Sequence, residues 1–256
     1  MGKRRPAKKD PYSYQERSYR RLEQSGLTTT RVQLMETDLH IMAATGVEEP
    51  ALTLITEART AIENYIKTHH DFLTSLVPLA EDNTAPAIIR TMLTAGRRAG
   101  VGPMAAVAGA VAEFVGRGLE LLGHNEVIVE NGGDIYVKRK KACTIAIYAG
   151  ESPLSGRVGI RLQSRQMACG VCTSSASIGH SLSLGAADAA VVVAPQTAFA
   201  DALATRLGNE VQGNTDDRLN RALAVVREMK DVTGAVLIAG DKLGAWGDLQ
   251  LVGLEG

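Results

Sequence analysis

The sequence has 256 residues, of which 45% are hydrophobic and 22% charged, and its formal net charge at pH 7 is zero. These values exclude a disordered chain, and the length allows one large domain or two closely packed halves. Only 4% of the residues are aromatic, so the core is expected to consist of small aliphatic side chains. Three cysteines argue against a disulfide framework, and no apolar segment follows the basic start, so a cytoplasmic protein without a secretory signal is predicted.

The charge is unevenly distributed along the chain. Residues 1–21 contain eight Lys or Arg but only two Asp or Glu. A basic arm could contact nucleic acid or a membrane, but a solvated flexible tail explains the same composition more simply. We therefore predict a basic tail over residues 1–25 and a single domain over 26–256. No segment is long and apolar enough to span a bilayer, and neither nucleic acid nor a membrane is an expected partner.

Hydrophobic spacing predicts the elements of the first half. Residues 31–43 alternate as a strand or a bent pair of strands, and residues 51–76 have the spacing of one long helix. A second helix is predicted over 86–98. A third is predicted over 103–122, because Pro103 suits the first helical position and Gly123 suits the end.

A β-hairpin is predicted over residues 126–137. Its β-branched runs are joined by Asn131-Gly132-Gly133-Asp134, and a tight turn requires residues that tolerate positive φ. The backbone of Gly132 and Gly133 is bare, so a ligand could approach two N–H groups there, with the carboxylate of Asp134 beside it. A plain hairpin turn is the alternative.

The second half is predicted to contain both strands and helices. Strands are expected over 143–149, 158–162, 189–194, 232–239 and, as an edge strand, 246–252, with helices over 198–207 and 216–229. Because strands and helices do not alternate strictly along the chain, we predict an α+β fold with antiparallel sheets and helices packed on one face.

Asp201 and Thr205 are spaced four residues apart on a predicted helix, which places a carboxylate and a hydroxyl on one face. Both are hard oxygen donors suited to Mg²⁺ or Ca²⁺ together with phosphate oxygens. Alternatively, Asp201 stabilises the first helical turn through the helix dipole.

Cys169 and Cys172 form a CxxC sequence followed by Thr173, Ser174 and Ser175. A CxxC pair can be a redox dithiol, a nucleophile of low pKa or half of a zinc site, whereas small buried thiols are the structural alternative. The three hydroxyl side chains would form a polar lining for a ligand.

His180 is the one histidine in a Gly- and Ser-rich loop, residues 177–185. Polar loop residues are often functional, so His180 could act as a general base. A surface histidine is the alternative.

Taken together, three segments resemble the ApbE-like superfamily of flavin transferases, which attach FMN from FAD to proteins. They are Val-Ile-Val-Glu-Asn-Gly-Gly-Asp-Ile-Tyr over 127–136, Cys-Thr-Ser-Ser over 172–175 and Ala-Asp-Ala-Leu-Ala-Thr over 200–205. More narrowly, the chain resembles an uncharacterised bacterial and archaeal branch without a lipoprotein signal. The resemblance implies an α+β, T-fold-related architecture of two related halves with FAD or FMN between them. It also implies that Asp201 and Thr205 hold a divalent ion, such as Mg²⁺, at the diphosphate.

The sequence departs from the transferase pattern at two places. The family's Gly-Gly-x-x-Lys-Gly segment corresponds to residues 102–116, which contain no lysine, and its His-x-x-Asp-Pro-x-Thr-Gly segment is shortened to residues 179–185, leaving His180. Three functions therefore remain open. They are a metal-dependent flavin-nucleotide enzyme, a sulfide or persulfide transfer enzyme that uses Cys172 with Cys169, and a non-catalytic binding module. The aromatic-poor composition is compatible with a homodimer.

Overall fold

The computed structural model describes residues 26–175, 187–213 and 217–255. Within those ranges the chain forms eleven strands and six α-helices. The strands are β1 Thr28–Leu34, β2 Thr37–Ala43, β3 Val127–Asn131, β4 Asp134–Lys138, β5 Cys143–Ile147, β6 Val158–Leu162, β7 Cys169–Ser174, β8 Ala189–Ala194, β9 Gly234–Ala239, β10 Lys242–Gly247 and β11 Gln250–Gly253. The helices are α1 Glu48–Thr68, α2 His70–Thr74, α3 Ala87–Ala99, α4 Val107–Leu121, α5 Thr197–Glu210 and α6 Arg218–Arg227.

Two antiparallel sheets organise the fold. The larger has eight strands in the order β1-β2-β3-β4-β7-β8-β9-β10, and the smaller has three in the order β11-β6-β5. Alternation along β8 shows how the layers pack: Ala190 and Val192 join the core beneath the helices, whereas Val191 and Val193 join the core beneath the small sheet. The predicted α+β fold with antiparallel sheets is confirmed. Helices cover one face of the large sheet, and the small sheet covers the other.

The long helix predicted over 51–76 is interrupted at His69. Its backbone leaves the helical region there (φ −131°, ψ 72°), α1 ends at Thr68 and α2 begins at His70. This change of direction buries Phe72, whereas Leu76, in the same predicted helix, is exposed to solvent. Burial of one aromatic ring thus outweighs continuation of the local helical pattern.

Three further segments differ from the prediction. The third helix begins with a short 3-10 turn, Pro103–Ala106, before α4. The single edge strand predicted over 246–252 is two strands, β10 and β11, that belong to different sheets. Residues 169–174, which were not predicted as a strand, form β7 in the interior of the large sheet between β4 and β8.

Among the described residues no single helix is both long and apolar enough to cross a membrane. One pair of helical segments has sufficient length and apolar composition when taken together, but it is bent by 105°: Ala87–Ala99 and Pro103–Leu121.

Candidate functional site

The β3–β4 hairpin turn lies against the beginning of α4. The Asn131 side-chain amide donates a hydrogen bond to the carbonyl oxygen of Ala108 (3.1 Å). Gly132 and Gly133 have φ values of 71° and 107°, which favour glycine, so the predicted turn is confirmed. The N–H of Gly133 donates to Glu130 Oε1 (2.9 Å). One of the two N–H groups expected to face a ligand is therefore already bonded within the protein.

Asp134, the first residue of β4, lies directly opposite Cys172 of β7 in the strand register. The residue is 7% exposed, and within the part of the chain that the structure describes its Oδ1 has no hydrogen-bond partner. Burial raises the pKa of Asp134 well above its usual value, and the neighbouring charge of Asp201 raises it further. An unpaired buried carboxylate oxygen is costly unless something else binds it.

Asp201 extends from α5 to the N-terminus of α4. Its Oδ2 accepts a hydrogen bond from the N–H of Gly109 (2.8 Å). Burial raises the pKa of Asp201 to about 7, although the backbone N–H groups of Gly109 and Ala108 lower it. A Cβ atom at Gly109 would lie 2.6 Å from the Thr197 carbonyl oxygen, so glycine is what lets the two helices approach this closely.

The donor chemistry of this site fits a divalent cation. Asp134 and Asp201 are two buried carboxylates, the charge of Asp201 opposes the ionisation of Asp134, and Asp134 Oδ1 is unpaired among the described residues. Thr205 follows Asp201 by one turn of α5 and is half-buried. Carboxylate and hydroxyl oxygens suit Mg²⁺. Among the described residues no three His, Cys, Asp or Glu side chains form a ready-made metal cluster, so further ligands would have to be backbone or ligand oxygens.

A third buried carboxylate, Glu113 of α4, was not predicted from the sequence. Its Oε2 accepts hydrogen bonds from the N–H groups of Thr197 (2.8 Å) and Ala198 (3.3 Å) at the beginning of α5. Arg117 donates from Nε to Glu113 Oε1 (2.8 Å) and pairs with the same oxygen through its terminal nitrogen. One feature of the sequence could have indicated a role for Glu113: it is the only charged residue between Gly102 and Gly116.

The three hydroxyl residues after Cys172 do not form one lining. Side chains alternate across a strand, and Cys172 belongs to the core on the helix side of β7, whereas Val171 belongs to the opposite core. Ser174 therefore shares the face of Asp134 and Cys172, and Thr173 points to the other face. Ser175 follows the end of the strand and is half-buried.

The strand also separates the two cysteines of the CxxC sequence. Cys169 packs on the small-sheet side with Cys143, and Cys172 packs on the helix side, so the predicted pairing of Cys169 with Cys172 is wrong. All three thiols are buried and free. Burial raises the pKa of Cys169 to about 12 and that of Cys172 well above its usual value. Persulfide chemistry requires the opposite, an accessible thiolate.

His180, the predicted general base, lies outside the described residues. His69 and His70 help to line a separate cavity of about 470 Å³ beside Tyr65 and Phe72, within the range of small-molecule pockets. None of the predicted site residues lines that cavity.

Sequence comparison finds a matching family profile and similar archaeal proteins. A family profile described as "AbpE bacteria" matches residues 20–238. A "UPF0280 protein" of Methanocaldococcus jannaschii is 42% identical over 207 residues, covering 80% of this chain and 84% of the relative. A "UPF0280 protein" of Methanococcus aeolicus is 38% identical over 222 residues, covering 86% and 90%.

Solved structures with a similar fold include flavin transferases. The apo form of the flavinyl transferase ApbE from Pseudomonas stutzeri has a TM-score of 0.53 at 14% identity, covering 86% of this chain and 94% of that one. A mutant of the flavin transferase ApbE from Vibrio cholerae has a TM-score of 0.50 at 14% identity, covering 86% and 96%. At this identity the similarity shows the ApbE-like fold alone.

Proposed function

This chain belongs to the AbpE bacteria family, and we propose that it binds a flavin nucleotide, FAD or FMN, through a divalent cation such as Mg²⁺. The observation that carries the proposal is the buried pair of carboxylates, Asp134 and Asp201, with Asp134 Oδ1 unpaired among the described residues. The FMN transfer that the family resemblance implies would begin with this binding step.

The charges of the site support the involvement of a cation. Burial raises the pKa of both carboxylates, and the charge of Asp201 raises the pKa of Asp134 further. A divalent ion would offset part of the charge of the two carboxylates and of a diphosphate, and so reduce the repulsion between them. A diphosphate alone would meet two carboxylates of its own sign.

The chain's own residues would orient the nucleotide beside these carboxylates. The hairpin turn has no side chains at Gly132 and Gly133, so the ligand can approach its backbone closely. Asn131 ties the turn to α4, and Glu130 fixes Gly133, so the shape of the turn is set before a ligand binds. In this proposal Thr205, one turn after Asp201, is a further oxygen donor to the ion.

Calorimetry of FAD, FMN and ADP binding, first with Mg²⁺ and then with EDTA, tests the proposal. We expect FAD binding that requires Mg²⁺ and weakens at least roughly tenfold in Asp134→Asn, since that variant loses one charge from the pair. Comparison of ADP with FMN separates recognition of the diphosphate from recognition of the flavin.

Asp188→Asn is the matched control. Asp188 Oδ2 also accepts a glycine N–H, that of Gly240 (2.7 Å), but it lies outside the buried pair, so this variant should bind like the wild type. FAD binding that survives both EDTA and Asp134→Asn, or no nucleotide binding at all, would refute the proposal.

The sulfur-transfer alternative has no comparable support. Cys172 is fully buried with a raised pKa, and Cys169 lies on the opposite face of the sheet.

A further inference from the structure

Helices α4 and α5 cap each other's N-termini. Asp201 of α5 accepts the N–H of Gly109 at the beginning of α4, and Glu113 of α4 accepts the N–H groups of Thr197 and Ala198 at the beginning of α5. The spacing is the same in both helices. Glu113 lies four residues after Gly109 on α4, and Asp201 lies four residues after Thr197 on α5. First-turn N–H groups lack partners within their own helix, so each carboxylate satisfies donors that the partner helix leaves open.

The two capping carboxylates differ in how their charge is balanced. Arg117 pairs with Glu113 one turn away on α4 (2.8 Å). Among the described residues Asp201 forms no ion pair, and its neighbour Asp134 is another carboxyl group. Glu113 is therefore already neutralised within the protein, whereas Asp201 retains a charge that a cation could balance.

We propose that Glu113, held by Arg117, is a positioning residue that sets the location of Asp201 against the beginning of α4. This inference rests on the proposed function, because its consequence for ligands is the geometry of the cation site.

The contacts show how Glu113 acts through α5. Its carboxylate holds the N–H groups of the first turn, which fixes the Thr197 carbonyl oxygen next to Gly109 and within 3.3 Å of the Cys172 thiol that donates to it. Asp201 lies one helical turn after Thr197 on α5. If the first turn of α5 shifts, Asp201 moves with it, away from Gly109 and Asp134.

The experiment compares Glu113→Ala, which removes the acceptor, with Glu113→Gln, which keeps one acceptor oxygen but loses the charge. Glu113→Ala should weaken Mg²⁺-dependent FAD binding at least roughly tenfold, with Glu113→Gln intermediate. If the alanine variant does not fold, the glutamine variant alone carries the test.

A double-mutant cycle distinguishes positioning from general destabilisation. Because Glu113 acts through Asp201, Glu113→Gln should have no further effect on FAD affinity in an Asp201→Asn background, but should retain its full effect beside Asp134→Asn. Equal effects in the two backgrounds would overturn the inference.

A second readout requires no nucleotide. Amide hydrogen exchange at Gly109 should accelerate at least roughly tenfold in Glu113→Gln, whereas exchange at Gly116, in the middle of the same helix, should follow only the change in global stability. Unchanged exchange at Gly109 would refute the positioning role. Faster exchange at Gly109 in a protein that binds no FAD would instead refute the proposed function and leave the positioning role standing.

Discussion

Replacement of Asp201 by Asn should stabilise the metal-free protein at pH 8. Burial raises the pKa of Asp201 from 3.8 to about 7, so the folded state disfavours the ionised form. At ~1.4 kcal/mol per pKa unit, keeping this carboxylate ionised costs the folded state about 4 kcal/mol relative to the unfolded chain. An amide in its place carries no charge and avoids that cost.

The Asn oxygen can still accept the N–H of Gly109. The weaker neutral hydrogen bond is already included in this free energy, because the N–H groups of Gly109 and Ala108 lower the pKa of Asp201 within its value of about 7. The net stabilisation at pH 8 is therefore about 4 kcal/mol. The wild-type free energy of unfolding should fall as the pH rises from about 4 to about 7 and then level off, whereas the variant lacks that contribution.

Urea unfolding in EDTA at pH 5 and pH 8 measures this difference. Asp188→Asn is the control, since it makes the same change at an exposed hydrogen bond to a glycine N–H, where water screens the charge, and it should differ from the wild type by about 0.5 kcal/mol or less. If Asp201→Asn destabilises the protein at pH 8, or changes stability equally at both pH values, then Asp201 is a simple helix cap and burial does not disfavour its ionised form.

Three further outcomes are expected. Gly109→Ala should cost roughly 2 kcal/mol or more in urea unfolding because its Cβ would lie 2.6 Å from the Thr197 carbonyl oxygen, whereas Gly118→Ala, in the same helix, meets only the movable Leu54 side chain and should cost less. Labelling with a thiol reagent at pH 8 should be slow for all three buried cysteines in the folded protein and fast in urea, and rapid native labelling would revive sulfur chemistry. Mg²⁺ at millimolar concentration should raise the wild-type melting temperature by a few degrees but leave that of Asp201→Asn unchanged, and equal shifts would place the ion elsewhere.

Features that depend on neighbouring residues could be predicted from the sequence. The β3–β4 hairpin was located because Gly132 and Gly133 tolerate positive φ between two β-branched runs. The α+β class and α5 followed from hydrophobic spacing, and the motifs around Asp134 and Asp201 indicated the superfamily to which the comparisons also point. The interruption at His69 was missed because burial of Phe72, which is a tertiary contact, decides it.

The cysteine assignment failed for a geometric reason. A CxxC sequence brings two thiols together on a helix, but the segment is strand β7, whose odd spacing places Cys169 and Cys172 on opposite faces. The spacing of two cysteines shows whether their thiols are adjacent only once the secondary structure is known. The short run of small residues in this segment did not indicate a strand.

Local sequence patterns indicated which side chains are available and which helix or hairpin carries most of them. What these side chains contact depends on long-range packing. Asp201 caps an N–H that lies 92 residues away in the chain, and Glu113 caps one 84 residues away. Both pairings depend on where two helices cross, and that crossing requires the bare backbone of Gly109 against Thr197. Long-range packing of this kind leaves no local pattern, because each residue alone is also compatible with an ordinary place on its own helix.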